Sequence, residues 1–362
     1  MSEKIEINTF EELRNLELFE LIVKIFNEAQ KNGDLTFKEA INFEIIQDKE
    51  SEIEYEIKIV EGLSKRPNNR ASEPGSKEYN ISNEKIKDIQ KNNPFLKPEP
   101  ELTIIDSIFN KYRLILNKFP NTKYHFLLVT KEFEKQDSLL KPIELQIIHT
   151  ILENLNNNKN NKIINNNGEE VKYFSFFNSG PESGYSQFHK HIQFMMLPNN
   201  FHIYQEDVIR GVKYFIPKEI IQERRPLLYS NASFKHFILK LKNDSIDEED
   251  KKDSLAILYM YLIKRVLNIF KEYQEDGNGD NKNTQISYNF LMMSDWMMII
   301  PRRSAKFENI WQNSLGFMGL FCVKDEELKD KVLKVGFSKI LQECGFPMEK
   351  DEKDIVYNEY GY

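Results

Sequence analysis

Cysteine is nearly absent. Cys322 and Cys344 are the only two in 362 residues, too few for a disulfide framework or a cysteine-built zinc site. An apolar run is missing from the start, where Met-Ser-Glu-Lys-Ile-Glu stands. Secretion and membrane insertion are therefore not expected, and the cytoplasm, with the nucleus as a second compartment, is the expected location. Positive charge is not in excess either. The net charge of −7 argues against a nucleic-acid binder, whose surface is normally basic. What is present is apolar material, 40% hydrophobic and 12% aromatic, enough for a sizeable core in one compact unit.

The chain is organised around Phe177 to Pro198, F-N-S-G-P-E-S-G-Y-S-Q-F-H-K-H-I-Q-F-M-M-L-P. Before it, Val171 to Phe177 is aromatic and β-branched, which favours a strand. The next ten residues are rich in Gly, Ser, Pro and Asn, loop chemistry with free backbone N–H donors. From Phe188 an extended chain sends His189, His191 and Gln193 to one face, and Lys190, Ile192 and Phe194 to the other. Two histidines at this spacing also suit a zinc pair, though no third ligand cluster accompanies them. The chemistry that wants these groups beside a phosphate-cradling loop is nucleotidyl transfer through a covalent histidine: neutral imidazole is a good nucleophile near pH 7 and a good leaving group afterwards.

The pattern N-S-G-P-x-S-G-x-S-Q-x-H-K-H-x-Q resembles the active-site motif of diadenosine tetraphosphate phosphorylases, or ATP adenylyltransferases, in the histidine-triad and galactose-1-phosphate uridylyltransferase superfamily. Asn93-Pro-Phe-Leu-Lys-Pro-Glu-Pro100, Leu116-Asn-Lys-Phe-Pro120, His125-Phe-Leu-Leu-Val-Thr-Lys131 and Asn313-Ser-Leu-Gly-Phe-Met-Gly319 with Val323-Lys324 resemble further blocks of that family. The resemblance implies an α+β fold: a histidine-triad-like antiparallel sheet with packed helices, two related halves in one compact unit. The N-terminal half would be 1–212, with a loop at 67–93 and an Asn-rich insert at 156–168, and the C-terminal half 213–362.

The resemblance also implies roles. His191 would be the nucleophile that takes AMP, His189 its support, and Gln193 a donor to the α-phosphate. Asn178, Gly184, Tyr185, Ser186 and Gln187 would cradle phosphates. Lys65, Asn117 and Lys118 would bind substrate from the first half, and Asn313, Ser314, Leu315, Leu320 and Lys324 would complete the pocket from the second. The expected partners are a dinucleoside polyphosphate and inorganic phosphate, met by a monomer or small homo-oligomer. A divalent cation, magnesium, would ride on the polyphosphate, with no organic cofactor. A hexose-1-phosphate uridylyltransferase-like enzyme is disfavoured by H-K-H in place of H-P-H and by the missing cysteines. An inactive nucleotide sensor is disfavoured by the intact His189, His191 and Gln193. Tyr185 stands where the family often has serine, which leaves its backbone N–H as the secure donor.

Elsewhere Thr9 and Glu12 make a capping box for a helix running to Gly33. Strands are expected at 41–46, 53–60, 112–118, 125–130, 234–241, 286–293 and 296–301. Helices are expected at 142–155, 255–274 and 325–342. The hairpin 286–301 echoes 112–130, as if the second half had lost the histidine strand.

Overall fold

The computed structural model describes residues 4–39, 43–60, 93–157, 170, 172–199, 201–211, 226–241, 247–275 and 285–348. Lys65, the 67–92 part of the expected loop, nearly all of the Asn-rich insert and the boundary between the halves lie outside the described residues.

The first half begins with β1 (Glu6–Ile7), α1 (Phe10–Asn15), α2 (Leu18–Asn32), β2 (Phe43–Gln47) and β3 (Glu54–Ile59). It continues through β4 (Thr103–Ile108), β5 (Tyr112–Leu116), β6 (Phe126–Thr130), α3 (Pro142–Asn157), β7 (Tyr173–Ser179), β8 (His191–Met196) and α4 (Tyr204–Arg210). The second half has β9 (Phe237–Lys240), α5 (Glu248–Glu275), β10 (Tyr288–Met292), β11 (Trp296–Pro301), β12 (Lys306–Phe307) and β13 (Ile310–Trp311). It closes with α6 (Ser314–Met318), β14 (Leu320–Val323), α7 (Glu326–Val335) and α8 (Phe337–Cys344).

Among the described residues a nine-stranded sheet runs through both halves in the order β1-β4-β5-β6-β8-β7-β10-β11-β9. It is antiparallel except at its edge, where β1 pairs parallel with β4. Because both faces of β7 are covered, Y-F-S-F-F-N-S is buried throughout, which is why it reads as an unbroken apolar run rather than an alternating one. On one face α1, α2, α3 and α5 supply the larger core. On the other, α4, α6, α7 and α8 cover the second half's strands together with the small sheet β14-β3-β2. That small sheet joins the halves, since β3 pairs parallel with β14. Among the described residues, β5 and β6 carry on this second face a satellite cluster of Phe95 with their own Ile115, Leu127 and Val129.

Three expectations change. The helix expected from Thr9 to Gly33 is two. The capping box forms, with Thr9 Oγ1 accepting from the Glu12 N–H at 3.1 Å and Glu12 Oε2 accepting from the Asn8 N–H at 2.7 Å. The first helix then ends because Asn154 Nδ2, from α3, donates to the carbonyls of Leu13, Arg14 and Leu16 at 2.8–3.0 Å, satisfying the acceptors that a helix C-terminus leaves open. The expected terminal helix also divides, at Gly336 with φ 92°.

The third change concerns the repeat. β6-α3-β7-β8, with sheet order β6-β8-β7, recurs as β9-α5-β10-β11 with sheet order β9-β11-β10, the two sets joined by the antiparallel β7·β10 seam. The hairpin β10–β11 therefore repeats β7–β8, not the hairpin of 112–130. The histidine strand is not lost from the second half. It is present as β11 without its histidines.

Candidate active site

β8 leaves the glycine-rich loop and enters the sheet between β6 and β7, pairing His191 with Val129 and Gln193 with Leu127 and Phe176. Alternation places both side chains on the face lined by the satellite cluster, and the Phe95 ring lies 5.4 Å from the His191 ring. Lys190 points to the opposite face, where its Nζ meets Glu144 at 2.7 Å with both side chains fully buried.

The two histidines are not equivalent. His191 Nδ1 donates to the His189 carbonyl at 2.8 Å, so its Nε2 is the unprotonated nitrogen and carries the in-plane lone pair. Burial pushes the imidazole down to about 4, against the weaker pull of that carbonyl, so the ring is neutral at physiological pH. His189 has both nitrogens engaged. Asn93 Nδ2 donates to its Nδ1 at 2.8 Å. On the other side, Thr130 Oγ1 gives its own proton to the Glu132 carbonyl, so His189 Nε2 is the donor to Thr130 at 2.8–2.9 Å. His189 is also held below its usual range by burial. The His189 Nδ1 lone pair is thus occupied by Asn93 and its Nε2 proton by Thr130.

Gln193 is similarly fixed. His125 Nδ1 accepts from the Asn121 N–H at 3.4 Å, which leaves its Nε2–H to donate to Gln193 Oε1 at 3.1 Å. With its oxygen pinned, the Gln193 amide presents its NH2 group to the site. Gln136, which the sequence did not single out, grips the start of β8. Its Oε1 accepts from the His191 N–H at 2.8 Å, and its Nε2 donates to the carbonyls of His191 and Asn178 at 3.2 and 2.9 Å.

The loop between β7 and β8 is seated on the second half. Gly180 and Gly184 have φ of 81° and 80°. A Cβ at Gly180 would lie 2.3 Å from the Ile286 carbonyl oxygen, and one at Gly184 would lie 2.2 Å from that of Gln312. Only glycine permits both the conformation and the approach. Tyr185 and Gln187 are half-buried and Ser186 is exposed.

Asn178, at the end of β7, accepts at its Oδ1 from Asn289 Nδ2 at 2.8 Å and from the Ser314 N–H and hydroxyl at 3.1 and 2.6 Å. Asn313 caps α6 by accepting from the Leu315 N–H at 2.9 Å. The structure thus brings Asn178, Asn313 and Ser314 together, but Ser314 spends both donors on Asn178. Leu315 and Leu320 are core side chains, 3% and 1% exposed, and offer a ligand only their backbone. Asn117, at the end of β5, holds the Phe119 N–H at 3.0 Å and approaches the His125 ring at 3.5 Å. Lys118, exposed, pairs with Glu99 at 2.5 Å. Lys324, also exposed, lies 3.4 Å from Asp325.

The arrangement provides an unprotonated, buried imidazole nitrogen flanked by an oriented amide donor and a backbone loop, the parts that phosphoryl transfer through a covalent histidine requires. Among the described residues no helix is long and apolar enough to cross a membrane.

Residues 9–207 match the family model described as the Ap4A phosphorylase N-terminal domain, and residues 230–347 that of the ATP adenylyltransferase C-terminal domain. Diadenosine 5',5'''-P1,P4-tetraphosphate phosphorylase 2 of Saccharomyces cerevisiae is 31% identical over 344 residues, covering 92% of this chain and 96% of that protein. The crystal structure of the yeast Ap4A phosphorylase Apa2 superposes with a TM-score of 0.72 at 29% identity, over 96% of this chain and 99% of that one. The same enzyme in complex with Ap4A gives 0.70 at 29% identity, over 91% and 98%. With both domain models matched in order and 96% of a yeast relative covered at 31% identity, the chain belongs to the Ap4A phosphorylase family.

Proposed function

We propose that this protein cleaves diadenosine tetraphosphate by phosphorolysis, releasing ATP and then ADP through a histidine-bound AMP. In the first step the lone pair of His191 Nε2 attacks the α-phosphorus of one adenylate. The bond from that phosphorus to its bridging oxygen breaks, and ATP departs with the bonding electrons. In the second, an oxygen of inorganic phosphate attacks the same phosphorus, the N–P bond breaks, and ADP leaves a neutral His191. Both steps are reversible. The observation that carries this reading is the Nδ1–H bond from His191 to the His189 carbonyl, which leaves Nε2 as a nucleophile without need of a separate base.

Gln193 Nε2 would donate to an α-phosphate oxygen as charge builds there, and the N–H groups around Gly184 to Gln187 would cradle the chain of phosphates. Lys118, Lys324 and Lys65 would offset part of the substrate's charge. A divalent cation such as magnesium would enter on the phosphate oxygens as part of the substrate.

Incubation with Ap4A and phosphate, followed by chromatography, should yield ATP and ADP in equal amounts. Sustained formation of AMP and ATP without phosphate would instead mean hydrolysis. Labelled Ap4A alone should leave one acid-labile, alkali-stable AMP per chain, and peptide mapping should place it on His191.

A further inference from the structure

Arg302, directly after β11, is fully buried, and among the described residues five oxygens, each of a carbonyl or an amide, accept from it. Nε donates to the Cys344 carbonyl at 3.1 Å, Nη2 to those of Ser304 and Gln312 at 2.7 and 3.0 Å, and Nη1 to the Ser183 carbonyl at 3.2 Å and to Asn289 Oδ1. Its guanidinium stacks 4.8 Å over the Phe317 ring. Burying a guanidinium is costly, and burial lowers its affinity for the proton, to about 10. Two of the oxygens it holds belong to the glycine loop and to the residue before the cap of α6, which is where that loop docks.

The contact with Asn289 decides which way a second amide faces. With Oδ1 turned to Arg302, Asn289 must present Nδ2, which donates to Asn178 Oδ1 at 2.8 Å and to the Ser183 carbonyl at 2.9 Å. Asn178 is in turn fixed with its oxygen towards β10 and Ser314. Continued by two residues, the β7·β8 register sets Asn178 opposite His191, and its Nδ2 is buried without a hydrogen-bond partner among the described residues. A buried donor left unpaired costs stability, and Gln136 ties this residue's carbonyl to that of His191.

We propose that Arg302 and Asn289 are positioning residues of the transfer reaction, locking the Asn178 amide so that its Nδ2 donates to the phosphoryl group as it is transferred to and from His191. The inference rests on the phosphorolysis described above. It adds that the second half of the chain, which carries no nucleophile, aims one of the donors used by the first.

The test is a double-mutant cycle in steady-state phosphorolysis of Ap4A, with single-turnover adenylylation measured alongside. Asn289→Asp keeps the contact with Arg302 but replaces the donor to Asn178 with an acceptor, which pulls the Asn178 amide round against the Ser314 donors that hold its oxygen. Its kcat should fall about 10²- to 10³-fold, the range for losing one aimed donor, with KM changed less than about threefold. Asn178→Ala should fall as far, and the double variant no further. Arg302→Lys keeps the charge but loses the fork, and should show the same coupling to Asn178→Ala. The proposal is overturned if either variant retains full kcat, or if its loss multiplies with that of Asn178→Ala. A wild-type protein that produced no ADP from Ap4A and phosphate would instead overturn the reaction itself.

Discussion

β8 and β11 occupy the same station in the two halves of the sheet, yet one carries His191 and the other a tryptophan. The correspondence can be followed residue by residue. His125-Phe-Leu-Leu opens β6 and His236-Phe-Ile-Leu opens β9. With those histidines superposed, the registers set Trp296 at the place of His191 and Met298 at that of Gln193. The entry histidines have diverged in role as well. His125 turns its Nε2–H to Gln193. His236 donates from Nδ1 to the Phe234 carbonyl at 2.9 Å and accepts at Nε2 from the Tyr229 N–H at 2.8 Å, so it closes a local backbone turn. Backbone symmetry does not carry chemistry with it. The site depends on which ring nitrogen is left with a lone pair and on whether a packed cover lies above the strand.

The comparison is broken most severely at the nucleophile. His191→Ala should abolish adenylylation, a loss of at least about 10⁴-fold in kcat. His236→Gln should keep kcat within about threefold and appear instead as a lost buried hydrogen bond, about 1–3 kcal/mol in denaturant titration. If the second variant loses turnover as the first does, the two halves are not specialised as described here.

The next contrast is between Gln193 and Met298. Gln193→Ala should lower kcat about 10²- to 10³-fold with the fold retained. Met298→Ala should cost about 2–5 kcal/mol of stability, since it empties a fully buried position, while leaving kcat per folded molecule unchanged. Near-normal turnover in Gln193→Ala would show that this strand face is not the site. His125→Phe sharpens the same contrast. It keeps the ring volume but frees the Gln193 amide to turn, and kcat should fall about tenfold, as expected when a positioned donor is misaligned.

The smallest effect is in pH dependence. His191 and His236 are each depressed by burial to about 4, below their unfolded value of about 6.5. The neutral forms are therefore favoured in the folded chain. The stability linked to them is complete above pH 6.5 and is lost as pH falls towards 4. The acid limb of kcat/KM for adenylylation should likewise lie well below 6. A limb at 6.5 that persists when His125, His189 and His236 are each replaced would show His191 ionising as it does in water.

The sequence was legible where the physics is local. Period-two alternation was enough to place His189, His191 and Gln193 together with Lys190 behind them, and the glycine-rich stretch announced a tight loop. The aromatic run before it announced a central strand. Choosing between the two histidines on structural grounds needed partners far along the chain, Asn93 and Thr130, which no spacing reveals. Arg302 and Arg303 follow Pro301 like any solvated basic pair, and only the carbonyls of Cys344, Ser304 and Gln312 show that the first is buried. The break after α1 was hidden for the same reason, its cause being Asn154 some 140 residues on. The true register of the repeat did leave a signal, in the two His-Phe-x-Leu segments.

The β7·β10 seam has a consequence for descent. Strands that pair antiparallel about a local two-fold form an isologous contact, the kind by which two copies of one chain close a dimer. Such a dimer would have displayed two nucleophiles, one on each side of the seam. Once both copies lie on a single polypeptide, selection can act on each separately, and a redundant histidine can become a packed Trp296 without disturbing a backbone bond of the sheet. The single chain holds the two-fold of such a dimer in its main chain, about the Phe176–Leu291 pair of the seam, and departs from it in its side chains.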